Sequence, residues 1–339
     1  MARVGIVNVT GYAGVELARI LSRHPRVELS EVTGRSQAGQ ALGDVFPHLA
    51  DLDLTIAEDL GSVDVAFVAL PHHAAAEVIP ELLQRVDKVI DISADYRLKD
   101  VATYERWYGA HPSPSLLAEA VYGLPELHRD RVRQARLVAN PGCYPTASIL
   151  ALAPVADLLE PDIIVDAKSG ISGAGRAMKL ETNHFCEINE NVKADGLDGH
   201  RHQPEIAQEL NGVRRAAGQT ESDVLFVPHL IPMTRGILAT CYARLRSPIS
   251  ADELQARYRD FYCDAPFVRL AKQPPATKQT WGSNLCLVHP RLDPSGTRLL
   301  SIACIDNLVK GAAGQAVQNM NLMLGFPETA GLEAAPTYP

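Results

Sequence analysis

Cys143 and the run His200-Arg201-His202 carry side chains of the types that do nucleophilic attack and proton transfer. A cysteine attacks a carbonyl carbon as its thiolate, and an imidazole moves protons near neutral pH. Cys143 stands in the run Asn140-Pro141-Gly142-Cys143-Tyr144-Pro145-Thr146. Beyond it, Ile149, Leu150, Leu152, Val155 and Leu158 recur at helical spacing, which predicts a helix over 147–159 with one buried face. Pro141-Gly142 is a turn signal, and Pro145 suits the first helical position, where its missing N–H costs nothing. Cys143 is therefore expected at the mouth of a helix, facing unpaired N–H groups and the positive end of the macrodipole. Such a setting favours thiolate over thiol. A structural cysteine packed at a helix start would show the same local pattern, and this stretch alone does not separate the two.

His200-Arg201-His202-Gln203-Pro204-Glu205 supplies an acid or base, a cation for an anionic substrate, and a carboxylate three residues on to orient an imidazole. His-x-His-x-x-Glu can also gather metal ligands. Arg201 between the histidines opposes a cation and no further ligand motif accompanies them, so proton transfer without a metal is expected. Lys168-Ser169-Gly170-Ile171-Ser172-Gly173-Ala174-Gly175-Arg176 reads either as a loop whose backbone amides hold phosphate or cofactor, or as a mobile surface loop.

The elements that must position these groups fall into two halves. Arg3 to Val7 is a β-branched run and Gly11 to Leu21 has helical periodicity, with Asn8-Val9-Thr10-Gly11-Tyr12-Ala13-Gly14 between them. Strand, glycine-rich turn and helix N-terminus make a pyrophosphate cradle, with Asn8 in the first glycine position. Asparagine accepts left-handed backbone next best after glycine. After the strand Val27 to Thr33, Gly34-Arg35-Ser36 replaces the acidic residue that takes ribose hydroxyls in NAD sites, which predicts NADP. Asp64 to Leu70 and Lys88 to Ile92 read as strands buried on both faces, so the fold class is α/β with a doubly wound parallel sheet. His72 and His73, in the loop after the first of these, are expected to serve packing rather than chemistry.

Further strands at Ile163 to Ala167, Val224 to Val227, Ile237 to Arg244 and Leu299 to Ile305 predict a second, α+β domain whose extended sheet pairs subunits. Gly311 to Leu324 reads as a last helix with Gly325 as its cap, and the tail from about Glu328 as loosely held.

The chain has 339 residues, 46% of them hydrophobic and 21% charged, enough for two cores. Its net charge of -8 argues against nucleic acid and anionic membranes as partners. No apolar run approaches the roughly 20 residues of a membrane span, and the N-terminus lacks a signal-peptide pattern. Six scattered cysteines without a Cys-x-x-Cys pair are expected to be free thiols in a reducing cytoplasm.

Taken together, the chain resembles the N-acetyl-gamma-glutamyl-phosphate reductases, relatives of aspartate-semialdehyde dehydrogenase, over nearly its whole length. The resemblance rests on Gly11 to Gly14, Arg35-Ser36, Asp91 to Arg97, Tyr122 to Glu126, Asn140 to Thr146, Lys168 to Arg176, His200 to Glu205, Pro228 to Gly236 and Asp306 to Ala316. It implies an NADP(H)-binding domain over 1–142 completed by a C-terminal helix at 307–332, and a catalytic and oligomerisation domain over 143–306. It implies Cys143 as nucleophile, His202 as acid/base and Glu205 as the partner that orients it. Gly11, Tyr12, Ala13, Gly14, Arg35, Ser36, Ser172, Gly173 and Asn307 are the implied cofactor contacts, and Lys168 and Arg201 the implied substrate contacts. The implied reaction passes from an acyl phosphate through a Cys143 thioester, releasing inorganic phosphate, to an aldehyde, with no metal, in a homo-oligomer (dimer or tetramer). Related acyl phosphates, carrier-linked aminoadipyl or glutamyl phosphate or aspartyl phosphate, would suit the same chemistry. A non-catalytic NADP-binding sensor is the alternative from another class.

Overall fold

In the computed structural model, which describes every residue except 178 and 179, the chain opens with β1 (Ala2–Val7), α1 (Tyr12–Leu21), β2 (Val27–Thr33), α2 (Leu42–Val45), β3 (Ile56–Ala57), β4 (Val65–Val68) and α3 (Ala74–Arg85). It continues through β5 (Lys88–Asp91), α4 (Val101–Tyr108), β6 (Val121–Tyr122), α5 (Pro125–Gln134) and β7 (Leu137–Ala139). These strands form one sheet in the order β3-β2-β1-β4-β5-β7-β6, with every pairing parallel. Val65, Ala66, Phe67 and Val68 are all fully buried, as their unbroken apolar run requires of a central strand with both faces covered. The chain leaves β1 for β2 on one side and returns to β4 on the other, so the sheet reverses direction at the carboxyl end of β1. Open α/β sheets bind their ligands at such a point.

The second half begins with α6 (Cys143–Leu152) and β8 (Leu159–Gly170), followed by the short α7 (Leu180–Asn183), α8 (Phe185–Ile188) and β9 (Lys193–Ala194). Then come α9 (Gln203–Ala216), β10 (Asp223–Ile231), β11 (Ile237–Leu245), α10 (Ala251–Phe261), β12 (Val268–Leu270), β13 (Cys286–Leu292) and β14 (Arg298–Ile305). Its strands make a mixed sheet in the order β12-β13-β14-β11-β8-β10-β9. Along β8 the odd-numbered residues Ile163, Val165, Ala167 and Ser169 are buried, whereas Ile164, Asp166 and Lys168 lie on a more open face. α6 packs on β11, β14 and β13, and α9 on β10.

A π-helical turn (Val309–Ala313) and α11 (Gly314–Met323) close the fold. Gly325, at φ 66°, stands one residue past the Leu324 cap, where left-handed backbone ends a helix. By its contacts the chain divides into residues 1–142 with 312–334, and residues 143–311 with 335–339. In the first unit α11 packs on α5, β5 and α1.

Two expectations about local structure are corrected. The Cys143 helix starts at Cys143 itself, not at Pro145, and every residue from Tyr144 to Leu152 is buried rather than one face only. Pro145 remains within the first turn, where no N–H has an intrahelical partner, so it still costs nothing there. The first part of the tail, 328–332, is also better held than its composition suggests, whereas 333–339 stays largely exposed. Glu328 pairs with Arg129 at 3.1 Å and accepts from Gln318, Asn321 Nδ2 donates to the Ala330 carbonyl at 2.9 Å, and Leu332 is buried.

Candidate active site

The nucleotide cradle is built in the first unit by the turn after β1. Asn8 adopts φ 67°, donates from Nδ2 to the Ala69 carbonyl at 2.8 Å and accepts from the Thr10 hydroxyl at 3.1 Å. The asparagine thus makes the left-handed bend expected of the first glycine position and ties β1 to β4. Gly14 is obligatory for a different reason, since a Cβ there would stand 2.7 Å from Val9 Cα and run into the Asn8 carbonyl. Gly11 meets nothing closer than Asn8 Nδ2 at 3.8 Å, so its face of the turn is open. Beside it, a cavity of about 330 Å³ is bordered by Asn8, Gly34, Arg35, Ser36, Leu70 and Pro71. Arg35 and Ser36 are exposed, free of the core and directed by the Gly34 turn, so the residues present fit a phosphorylated dinucleotide. His73, at the start of α3, donates its amide to Asp95 and bonds the Tyr108 carbonyl through its ring, which is a packing role.

The reactive cluster lies in the second unit. Cys143 is the first residue of α6 and half-buried. Its neighbour Tyr144 is buried and donates its hydroxyl to the His229 carbonyl at 3.0 Å, fastening the start of α6 to β10. The Tyr144 ring meets those of His200 and His202 edge-on, both at 5.8 Å between centroids, and Phe226 supports Tyr144 and His200 at 5.3 and 5.2 Å. Tyr144 therefore stands between the helix start that carries Cys143 and the turn that carries His202. Burial, reinforced by the adjacent Cys143 charge, pushes the Tyr144 hydroxyl far above its usual range, so it stays a neutral donor.

His202 is the N-cap of α9, and Glu205, almost fully buried, follows in the first helical turn. The Nδ1 of His200 accepts the His202 amide at 3.1 Å. Burial, aided by Arg201 and opposed by Asp195, lowers the His200 pKa, in keeping with that acceptor role. Arg201, between them, is exposed. The other thiols nearby are unsuited to attack: burial raises Cys241 well beyond its usual range and Cys304 to about 12. Among the described residues no group of three His, Cys, Asp or Glu side chains could hold a metal ion, and no helix is long and apolar enough to cross a membrane.

The structure does not bring Lys168 to this cluster. Ser169 lies on the Tyr144 side of β8, whereas Lys168 lies on the opposite face and pairs with Asp166 at 2.5 Å, whose other oxygen is 3.2 Å from His229 Nδ1. The amides of Gly170, Ile171 and Ser172 donate to the carbonyls of Gly236, Met233 and Thr234, so they are not available to an anion. Asn307 accepts from the Gly236 amide at 2.8 Å and donates to the Ser172 hydroxyl at 2.9 Å, joining the glycine loop to the turn between β10 and β11. Sequence reasoning missed Tyr144 and Phe226; the position of Tyr144 beside Cys143 was the available signal for the first, and nothing local marks the second.

Residues 3–135 match the family model described as semialdehyde dehydrogenase, NAD binding domain, and residues 143–307 that described as semialdehyde dehydrogenase, dimerisation domain. Among solved structures, aspartate semialdehyde dehydrogenase II of Vibrio cholerae complexed with ASA aligns with a TM-score of 0.74 at 18% identity, covering 96% of this chain and 98% of that one. The Candida albicans aspartate semialdehyde dehydrogenase with NADP aligns at 0.71 and 14% identity, covering 96% and 98%. Fold and site together define a protein of the semialdehyde dehydrogenase class. Within that class, the N-acetyl-gamma-glutamyl-phosphate reductase of Dehalococcoides mccartyi is 59% identical over 99% of both chains, and that of Syntrophobacter fumaroxidans 50% identical over 100% of both. The chain belongs to the N-acetyl-gamma-glutamyl-phosphate reductase family.

Proposed function

We propose that this enzyme reduces N-acetyl-L-glutamyl 5-phosphate to N-acetyl-L-glutamate 5-semialdehyde, releasing inorganic phosphate, as a step of arginine biosynthesis. The observation that carries the chemistry is Tyr144, which links the helix start bearing Cys143 to the turn bearing His202 within one unit. Asn8 to Gly14, Arg35 and Ser36 hold NADPH, the two last taking its 2′-phosphate. When bound, the cofactor supplies a hydride.

The Cys143 thiolate attacks the acyl carbon, forming a C–S bond, and the C–O bond to phosphate breaks to leave a thioester. Amides at the start of α6 stabilise the oxyanion of the tetrahedral intermediate. Once the thioester carbon has accepted the hydride, His202 protonates its oxygen to give a thiohemiacetal. His202 takes the proton back as the C–S bond breaks, which frees the aldehyde and restores the thiolate. Glu205, buried one turn along α9, orients His202, and Arg201 meets the anionic substrate. Asn307 supports the glycine loop through Ser172.

The enzyme works as a homo-oligomer in the cytoplasm, where its free thiols stay reduced. The interface is the open face of the second sheet. There Leu225, Ile164 and Tyr242 sit opposite one another on β10, β8 and β11 while remaining 55%, 37% and 44% exposed, an apolar row that a second copy would cover.

The reverse reaction tests the proposal. NADPH formation is followed with N-acetylglutamate semialdehyde, phosphate and NADP, with aspartate semialdehyde in parallel. Phosphate-dependent turnover of the acetylated aldehyde is expected, abolished in Cys143→Ala while NADPH binding stays intact. Turnover that survives Cys143→Ala would remove the cysteine from the chemistry, and silence with both aldehydes in protein that binds NADPH would exclude this substrate.

A further inference from the structure

Residues Val309–Ala313 form one π-helical turn at a place where the simplest local structure is an α-helix. The amide of Gly311 donates to the Asp306 carbonyl at 2.9 Å, five residues back instead of four. Single π turns are rare, and they gather at functional sites. Asp306 secures this one. It is fully buried, and its Oδ1 accepts the amides of Leu308 and Val309 at 2.8 and 3.2 Å. Its Oδ2 accepts the Gly282 amide at 2.8 Å and faces Arg235 at 3.5 Å. The turn is thus braced from two other segments of the second unit.

What it braces is Cys143. A methyl group at Gly311 would stand 2.7 Å from the Cβ of Cys143 and 3.2 Å from its Cα. Neither atom is the far end of a flexible side chain, so the space beside Cys143 admits no side chain at position 311 without a shift. Lys310, next in the turn, is fully buried, its ammonium group 5.7 Å from the centre of the Phe267 ring, so the turn is packed on that side as well.

We propose that this turn is the seat of the nucleophile. Gly311 is a positioning residue whose missing side chain lets the backbone set where Cys143 stands, and Asp306 is a second positioning residue that holds the extra helical residue in place. The inference rests on Cys143 being the nucleophile. Attack requires sulfur and carbonyl carbon about 3–3.5 Å apart and aligned, and a misplacement of about 1 Å costs roughly a hundredfold in rate. A methyl group at Gly311 moves Cys143 from its own backbone outward, so the sulfur moves with it.

Wild type, Gly311→Ala and Asp306→Asn are compared in the phosphate-dependent oxidation of the semialdehyde, in NADPH affinity by fluorescence, and in the pH profile of Cys143 alkylation by iodoacetamide. Gly311→Ala is expected to lose about a hundredfold in kcat, with KM and NADPH affinity little changed and the alkylation profile displaced. Asp306→Asn puts a donor against the Gly282 amide and adds no atom near Cys143. A smaller loss of kcat with a displaced alkylation profile is expected, and this variant decides the matter where Gly311→Ala does not fold. A wild-type kcat and alkylation profile in a folded Gly311→Ala, or in Asp306→Asn if that one alone folds, overturns the proposal. So does a folded Gly311→Ala that loses NADPH affinity together with kcat. Wild-type enzyme that keeps its activity after Cys143 is alkylated would instead overturn the nucleophile itself.

Discussion

A non-glycine residue in the left-handed region costs about 1–2 kcal/mol, and Asn8 offsets that cost with bonds to Ala69 and Thr10. Asn8→Ala keeps the strain and loses both bonds, so thermal unfolding should show a loss of about 2 kcal/mol. Asn8→Gly removes the strain as well and should lose less; equal losses would mean that the backbone conformation is not the cause. Arg35 acts at the same scale but on selectivity. On the proposed role of Arg35 at the 2′-phosphate, Arg35→Ala should raise KM for NADPH about tenfold or more and leave KM for NADH unchanged. An equal rise for both cofactors would place Arg35 elsewhere in binding. The left-handed turn at Asn8 and the helix start at Cys143 were legible in the sequence because each carries its signal in its own residue type and immediate neighbours. The bridging role of Asn307 was not legible, because its partners Gly236 and Ser172 lie 71 and 135 residues away.

At the scale of elements, α6 shows where periodicity stops being informative. Its apolar spacing suggested one buried side, yet Tyr258 and Tyr262 of α10 and its surroundings donate hydroxyls to the carbonyls of Ala151 and Leu150, and the helix is enclosed all round. A helix sandwiched in this way cannot be told from an amphipathic one by pattern alone. The parallel sheet was legible because each strand-turn-helix unit is local, whereas the order of the mixed sheet depends on pairings such as β8 with β10 that no stretch announces. The π turn has no compositional cue either. β5 ends in an element-scale effect of its own, the buried Asp91, whose carboxyl burial and the neighbouring Asp95 raise to about 7 against the opposing pull of Arg97 and Ser93. A raised carboxyl pKa means that the folded state binds the proton more tightly than the unfolded one. The associated stability is present at acid pH and is lost as pH rises through about 7. Asp91→Asn removes that dependence, so its melting temperature relative to wild type should climb between mildly acid and neutral pH; a constant difference would mean that Asp91 does not titrate there.

At the scale of the whole molecule, the first unit is made of two pieces of chain, 1–142 and 312–334, and its α11 packs on α1, α5 and β5. His24, just past α1, bonds Asn321 of α11 at 2.9 Å, and beyond Met323 Glu328 reaches Arg129 of α5. Composition suggested a frayed end because the groups that hold it belong to the other end of the sequence. The arrangement has a consequence for biosynthesis. When the ribosome has released residues 1–142, seven strands' worth of sheet is in hand but the helix that covers part of it does not yet exist. At about 5–20 residues per second, the interval before α11 emerges is on the order of ten seconds. During that time apolar surface on α1, α5 and β5 stands open, and the nascent chain is a natural client for chaperones that bind such surface. Loss of the last few dozen residues would leave the amino-terminal fold in that state permanently.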